Sequence, residues 1–249
     1  MSETDRDNER ISSPQADYDQ LRNVSPEVPC PYLPGLKFRS EAYQADGLDG
    51  ATYERLLARG FRRSGGFVYR TRCQRCAECR QLRVLTDRFT PARSMRRAWR
   101  LNGDVRVEIA EPRPSPEKFS IYRRYLESQH DETMAREYGS FVDFLYTSPL
   151  KTVEFAYWLG QRLAGVSIAD CCPGGLSSVY MYFDPDFRAR SLGTYSALWE
   201  IDYCRQQRLP YYYFGFFVAG STTMAYKARF RPNEVLVGAD RWISFRGKR

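Results

Sequence analysis

The sequence predicts an α+β fold, and its C-terminal half carries that expectation. Three strand-like runs follow one another at 153–159, 163–168 and 177–183, split by Gly160-Gln161 and by Pro173-Gly174-Gly175, as in an antiparallel meander. A polar loop over 184–194 leads into a helix whose buried face is Ala197, Leu198, Ile201 and Cys204, and Leu209-Pro210 ends it. After it, 211–218 is apolar throughout, as expected of a strand covered on both faces. Strands, loop, helix and buried strand in that order give a layered arrangement with a phosphate-type site at the helix start.

The N-terminal half is read in the same way. Residues 1–27 are polar and charged with almost no apolar side chains, which predicts a disordered tail. The prolines and Gly35 at 29–35 predict an irregular segment that brings in Cys30. Tyr53, Leu56 and Leu57 fall at i, i+3 and i+4, giving a short helix closed by Gly60. Runs at 67–69 and 82–84 are short strands on either side of a cysteine knuckle, and 94–101 is a basic helix ending at Asn102-Gly103. Val105, Val107 and Ile109 alternate with charged residues, the period of a half-buried strand. After a breaker at 112–116, Ser115 as N-cap and Pro116 at the first helical position start a helix with Phe119, Tyr122 and Leu126 on its apolar face, and a second short helix follows at 141–146. The organisation expected is a Cys/Arg-rich unit over 28–110 and a second unit over 111–249, interlocked.

Composition bounds the function. The chain has 249 residues, 43% of them hydrophobic, enough for a substantial core. It has no apolar run of membrane-spanning length, and Met1 opens onto a charged segment unlike a signal peptide, so a cytoplasmic protein with no membrane partner is expected. In a reducing compartment seven cysteines are thiols, metal ligands or small hydrophobes before they are disulfides. The formal charge is +8, and the stretch 61–97 alone holds eleven arginines against Glu78 and Asp87. That balance points to a polyanionic partner, and forked guanidinium donors suit phosphates or carboxylates. Cys73, Cys76 and Cys79 stand in a C-x2-C-x2-C run, which with Cys30 could form a four-thiolate site for zinc or an iron–sulfur cluster, or remain four reduced thiols.

Strand order and the loop Arg188, Arg190, Ser191, Leu192, Gly193, Thr194 resemble the GCN5-related acetyltransferase fold, a mixed sheet with flanking helices in which such a loop holds a pyrophosphate. A longer set of blocks is more specific. Gly60-Phe61-Arg62-Arg63-Ser64-Gly65, Phe67-Val68-Tyr69-Arg70, the cysteine run, Phe89-Thr90-Pro91-Ala92-Arg93-Ser94 with Arg96-Arg97, Val179-Tyr180 before Phe183-Asp184-Pro185, Arg190 to Tyr195, and Met224-x-Tyr226-Lys227 before Phe230, Pro232 and Glu234 occur in order. Together they resemble the bacterial aspartate/glutamate leucyltransferases, relatives of the arginyl-tRNA-protein transferases, over roughly 28–242.

That resemblance implies transfer of leucine from leucyl-tRNA to the α-amine of proteins with N-terminal Asp or Glu, a step of the N-degron pathway of protein degradation. Arginine as the donor amino acid is the alternative in the same class, and acetyl-CoA-dependent N-acetylation the alternative outside it. An aminoacyl ester is already activated, so no nucleotide or redox cofactor is required. Arg62, Arg63, Arg93, Arg96 and Arg97 are then expected on the tRNA acceptor stem, and Arg190, Ser191, Gly193 and Thr194 on its terminal phosphates. Lys227 is the candidate partner for the acidic side chain of the acceptor. His130, the only histidine, and Asp170 are candidates for handling a proton, against ordinary roles as a helix cap and a turn residue. Tyr180 and Tyr226 are candidate donors to the reacting carbonyl, walls for the amino acid, or core. Gly220-Ser221-Thr222-Thr223-Met224 departs from the family's Gly-Cys-x-Lys-Met, which bears on specificity rather than on the reaction.

Overall fold

Segments far apart in the chain alternate inward and outward side chains and combine into one large sheet. The computed structural model describes residues 23–129, 136–238 and 240–245. Its N-terminal part holds short strands β1 (Asn23–Val24), β2 (Val28–Pro29), β3 (Lys37–Phe38), β4 (Ser40–Gln44), β5 (Arg62–Ser64) and β6 (Phe67–Thr71), with helix α1 (Gly50–Ala58) between β4 and β5. There follow β7 (Arg80–Leu85), α2 (Arg93–Leu101), β8 (Val105–Ala110), α3 (Pro116–Gln129) and α4 (Tyr138–Leu145). The C-terminal part is β9 (Thr152–Leu159), β10 (Arg162–Cys172), β11 (Gly175–Phe183), α5 (Leu192–Gln206), β12 (Tyr211–Phe217), β13 (Asn233–Val237) and β14 (Arg241–Ser244).

The chain is α+β, with an eight-stranded sheet in the order β14-β13-β7-β12-β11-β10-β9-β8 and a four-stranded one in the order β1-β4-β6-β5. Strand β7, from the N-terminal region, lies between β12 and β13 and so ties the two halves of the chain into one sheet. Among the described residues the pairings are antiparallel except that of β11 with β12. That parallel pair is short. It spans Gly175↔Tyr211, Leu176↔Tyr212 and Ser177↔Tyr213, after which β11 stays with β10 and β12 stays with β7. Each strand shifts register against its outer neighbour near this point, between Ile168 and Ala169 opposite β11 and between Tyr213 and Gly215 on β12. Gly215 has φ +87°, a left-handed conformation that glycine adopts without steric cost, and it lets β12 bulge away from β11.

Helices cover both faces. Helix α5 buries Ala197, Leu198, Ile201 and Cys204 against Leu82, Phe155, Tyr157 and Phe230, as its spacing predicts. On the other face α3 and α4 bury Ile121, Tyr122, Leu126, Phe141 and Leu145, and α1 contributes Tyr53 and Leu57 to a third cluster under the small sheet. Full burial of such a side chain is worth roughly 1.5–3 kcal/mol, which is why these positions set the layers. The meander is present as β9–β11, and Ser115 Oγ accepts from the Lys118 amide at 3.2 Å where the start of α3 was expected.

Some expectations change. Asn23 and Val24, within the stretch 1–27 expected to be a tail, pair with Ala42 and Glu41; residues 1–22 lie outside the described residues. The irregular segment at 29–35 sits within a β2–β3 hairpin, with the Cys30 amide bonded to Leu36 O at 2.9 Å. Strand β8 is an edge strand, so Ile109 stays 46% exposed instead of half-buried. Among the described residues no helix is long and apolar enough to cross a membrane.

Candidate active site where two strands part

Carbonyls that would pair across β11 and β12 lose their partners where the strands part, and a side chain takes their place. Arg62 reaches in from β5, donates from Nη2 to Ser178 O, and lies against Gly215, whose missing side chain leaves the room for it. Only 8% of Arg62 is exposed, its Cζ is 6.0 Å from the Phe216 ring centre, and Nη1 has no hydrogen-bond partner. A buried cation with a free donor is an anion-seeking group.

Lys227 lies beside it on the 3-10 turn Ala225–Arg229. Its Nζ donates to Phe216 O at 3.0 Å and sits 5.5 Å from the Phe214 ring centre. Removal from water and then the Arg62 charge bring its amine down to about 7. A carboxylate entering here would restore the ammonium and gain two cationic neighbours.

Aromatic side chains pack around this part of the sheet. Tyr180 on β11 packs at 6.3 Å and 90° on Tyr125 of α3 and at 5.4 Å on Phe144, while Tyr226 packs at 5.8 Å and 90° on Phe214. Burial raises both hydroxyls well above the ordinary tyrosine range, and the Tyr125 hydroxyl adds to each. Both phenols therefore stay protonated, as donors, near neutral pH. Behind them Glu200 on α5 is fully buried and accepts from Ser196 at 2.7 Å and Tyr212 at 2.9 Å. Burial raises its carboxyl, and Tyr212 also bonds the Ser178 side chain, so hydroxyls connect Glu200 to the opening. Sequence reasoning missed Glu200, although it lies three residues after Ala197 and four before Cys204 on the apolar stripe, where a carboxylate is out of place.

At the start of α5, Ser191 has φ +56°, and its carbonyl accepts from the Thr194 and Tyr195 amides at 2.9 and 3.1 Å. The Thr194 amide is thus engaged in the turn, while a side chain at Gly193 would meet open space. Arg190 holds Asp104 through a two-nitrogen fork at 2.6 and 3.0 Å and depresses that carboxyl, and Asn102 Nδ2 donates to Arg190 O at 2.8 Å. The loop is pinned to the C-terminal end of α2, and the Arg190 charge is already answered by Asp104.

Other candidate residues fall elsewhere. Arg63, expected on tRNA, is buried, and its Nε is 2.9 Å from both oxygens of the equally buried Asp170. Asp170 also receives Tyr53 at 3.2 Å and Thr152 at 2.9 Å. This pair fastens β5 to β10, and its saturated carboxylate is placed to hold the fold rather than to meet a substrate amine. Arg93, Arg96 and Arg97 are exposed on α2, whose buried face is Met95 and Ala98. His130 lies outside the described residues.

Burial, then its neighbours Cys30, Cys73 and Cys76, push the Cys79 thiol up to about 12, so the four thiols share one neighbourhood. Cys73 Sγ contacts the backbone of Arg39, at 3.5 Å from N and 3.7 Å from O. Among the described residues no three His, Cys, Asp or Glu side chains are arranged to hold a metal ion.

Two profiles of one family cover most of this architecture. "Arginine-tRNA-protein transferase, N terminus" matches residues 28–97, and "Arginine-tRNA-protein transferase, C terminus" matches residues 117–237. An aspartate/glutamate leucyltransferase of Hahella chejuensis is 34% identical over 224 residues, covering 89% of this chain and 95% of that protein. The chain belongs to the arginine-tRNA-protein transferase family. Proteins of the same name from Paramagnetospirillum magneticum and Nitrosococcus oceani are 36% and 38% identical to this transferase, over 88% and 85% of its length and 91% of each of theirs. Among solved structures, L-PGS from Bacillus licheniformis aligns with 56% of the transferase and 45% of its own chain, at a TM-score of 0.44 and 11% identity, too distant to carry an argument.

Proposed function

We propose that this transferase moves leucine from leucyl-tRNA to the α-amine of proteins that begin with Asp or Glu, a reading in line with the names of its bacterial relatives. The observation that carries it is the opening between β11 and β12, where Arg62 and Lys227 stand together among protonated phenols. The acidic side chain of the acceptor pairs with the free Nη1 of Arg62 and with Lys227. Its α-amine, with an ordinary pKa of about 7.7–8.0, is partly neutral near pH 7 and attacks the ester carbonyl. The new C–N bond forms, the C–O bond to the terminal ribose breaks, and the proton lost by the amine ends on the released ribose hydroxyl. Tyr180 or Tyr226 donates to the oxyanion, and holding amine and ester together supplies up to roughly 7–11 kcal/mol of the acceleration.

In this reading the exposed arginines of α2 carry the acceptor stem, and the parting of β11 from β12 ahead of α5 corresponds to an acetyltransferase-like sheet in which the start of α5, open at Gly193, lies toward the terminal phosphates. A cytoplasmic location fits a reaction that draws on charged tRNA. The test is incubation with leucyl-tRNA, arginyl-tRNA or acetyl-CoA and a peptide that begins with Asp, followed by mass measurement. A gain of one leucine is expected; a gain of arginine or acetyl overturns the reading. Lys227→Ala is expected to lose the preference for Asp over Ala at the peptide N-terminus.

A further inference from the structure

A cavity of about 280 Å³ opens between α2 and α5. Its floor is apolar, with Leu198 and Ile201 fully packed into the core behind it. Trp99 stands at its side 40% exposed, with Tyr195 at 5.4 Å. Arg96, Arg100 and Arg205 lie on its rim, with Asp202 as the one lining acid. An exposed indole over an apolar floor suits a flat ring, and a rim with a surplus of two positive charges suits a phosphate.

Position says where such a nucleotide comes from. Leu198 to Arg205 lie roughly 9–20 Å along α5 from its start at Leu192, at 1.5 Å per residue. A few nucleotides of single strand span that distance, and tRNA ends in an unpaired 3′ strand. Arg96 and Arg100 continue the exposed arginines of α2, whose far end is pinned through Asn102 to the Arg190 loop.

We propose that this cavity takes an unpaired base of the tRNA 3′ strand, stacked on Trp99 with its phosphate held by the arginine rim, a few nucleotides back from the aminoacylated end. The inference rests on the leucyl-tRNA reading above. It is tested with the full chain and deacylated leucine tRNA, intact or abasic at each unpaired 3′ position in turn, binding to wild type, Trp99→Ala and Arg205→Ser. One abasic position is expected to weaken wild-type binding about tenfold, Trp99→Ala to weaken intact tRNA to the same degree, and the two losses not to add. Arg205→Ser, on an exposed rim position, is expected to weaken binding without changing which position is sensitive. If leucine transfer proceeds but Trp99→Ala binds intact tRNA as wild type does, or every abasic position affects both proteins equally, the cavity assignment is overturned alone. If wild type neither binds the tRNA nor transfers leucine, the transferase reading and the cavity assignment both fall.

Discussion

The arginine stretch divides into two regions that the same residue type serves in opposite ways. Between Arg62 and Arg83 the arginines of β5, β6 and β7, with Arg72 just after β6, find partners within the protein: Arg63 with Asp170, Arg70 and Arg72 with the buried Glu41, and Arg83 with Glu234 at 2.7 Å, its guanidinium 3.8 and 4.2 Å from the Tyr211 and Trp242 rings. From Arg93 to Arg100 they sit on α2, where Met95 and Ala98 take the inner face and leave the arginines in solvent. Charge density alone cannot separate the two. What decides is whether the other face of the element is occupied by acids or by water. Arg62 and Arg63 each keep one unpartnered nitrogen, and it is the position of Arg62, against Gly215 where β11 and β12 part, that makes it the link between scaffold and site.

The largest effect expected from breaking this division is at the buried pair. Asp170→Ala or Arg63→Ala leaves an uncompensated charge and should cost about 3–5 kcal/mol of stability in denaturant unfolding. The double variant should lose less than the sum of the two, and independent losses would show that the pair does not act as a unit. Next in size is Gly215→Ala. A side chain in a left-handed conformation costs roughly 1–2 kcal/mol, and it would also collide with Arg62. Transfer should therefore fall more than stability does, whereas a loss of stability with unchanged transfer would remove Arg62 from the site.

Sequence patterns reach the elements of this fold more readily than their assembly. The meander, α5 with its inner face, the start of α3 and the basic helix α2 follow from spacing and capping, because those signals are local. The insertion of β7 between β12 and β13 is set by pairings more than 100 residues apart and leaves no local trace. The same holds for the site. Lys227 could be picked from sequence and does lie beside Arg62, but the burial of Arg63 against Asp170 depends on which strand faces β10, which a run of arginines does not encode.

Lys227 gives a smaller effect that titration resolves. Its amine is near 7 in the folded chain and about 10.4 when unfolded, so between those values the unfolded chain binds the extra proton. Stability should then rise with pH through that window, and Lys227→Met should flatten the rise. Arg62→Met removes the neighbouring charge and should move the lower edge of the window upward. A rise that survives Lys227→Met would assign the titration to another group.

The arginines of α2 should give the smallest change in stability, and that is what separates them from their neighbours on the strands. Arg96→Ala and Arg97→Ala remove solvent-facing charges and should shift unfolding by no more than about 0.5 kcal/mol. If each neutralises one phosphate, each substitution lowers the slope of log binding constant against log salt by about 0.7 to 0.9, and it does so for any tRNA sequence. Arg63→Ala, assayed under conditions where it stays folded, should leave that slope unchanged because its guanidinium never faces the partner. A slope that drops for Arg63→Ala and holds for Arg96→Ala would reverse the division and place the nucleic acid on the strand side of the molecule.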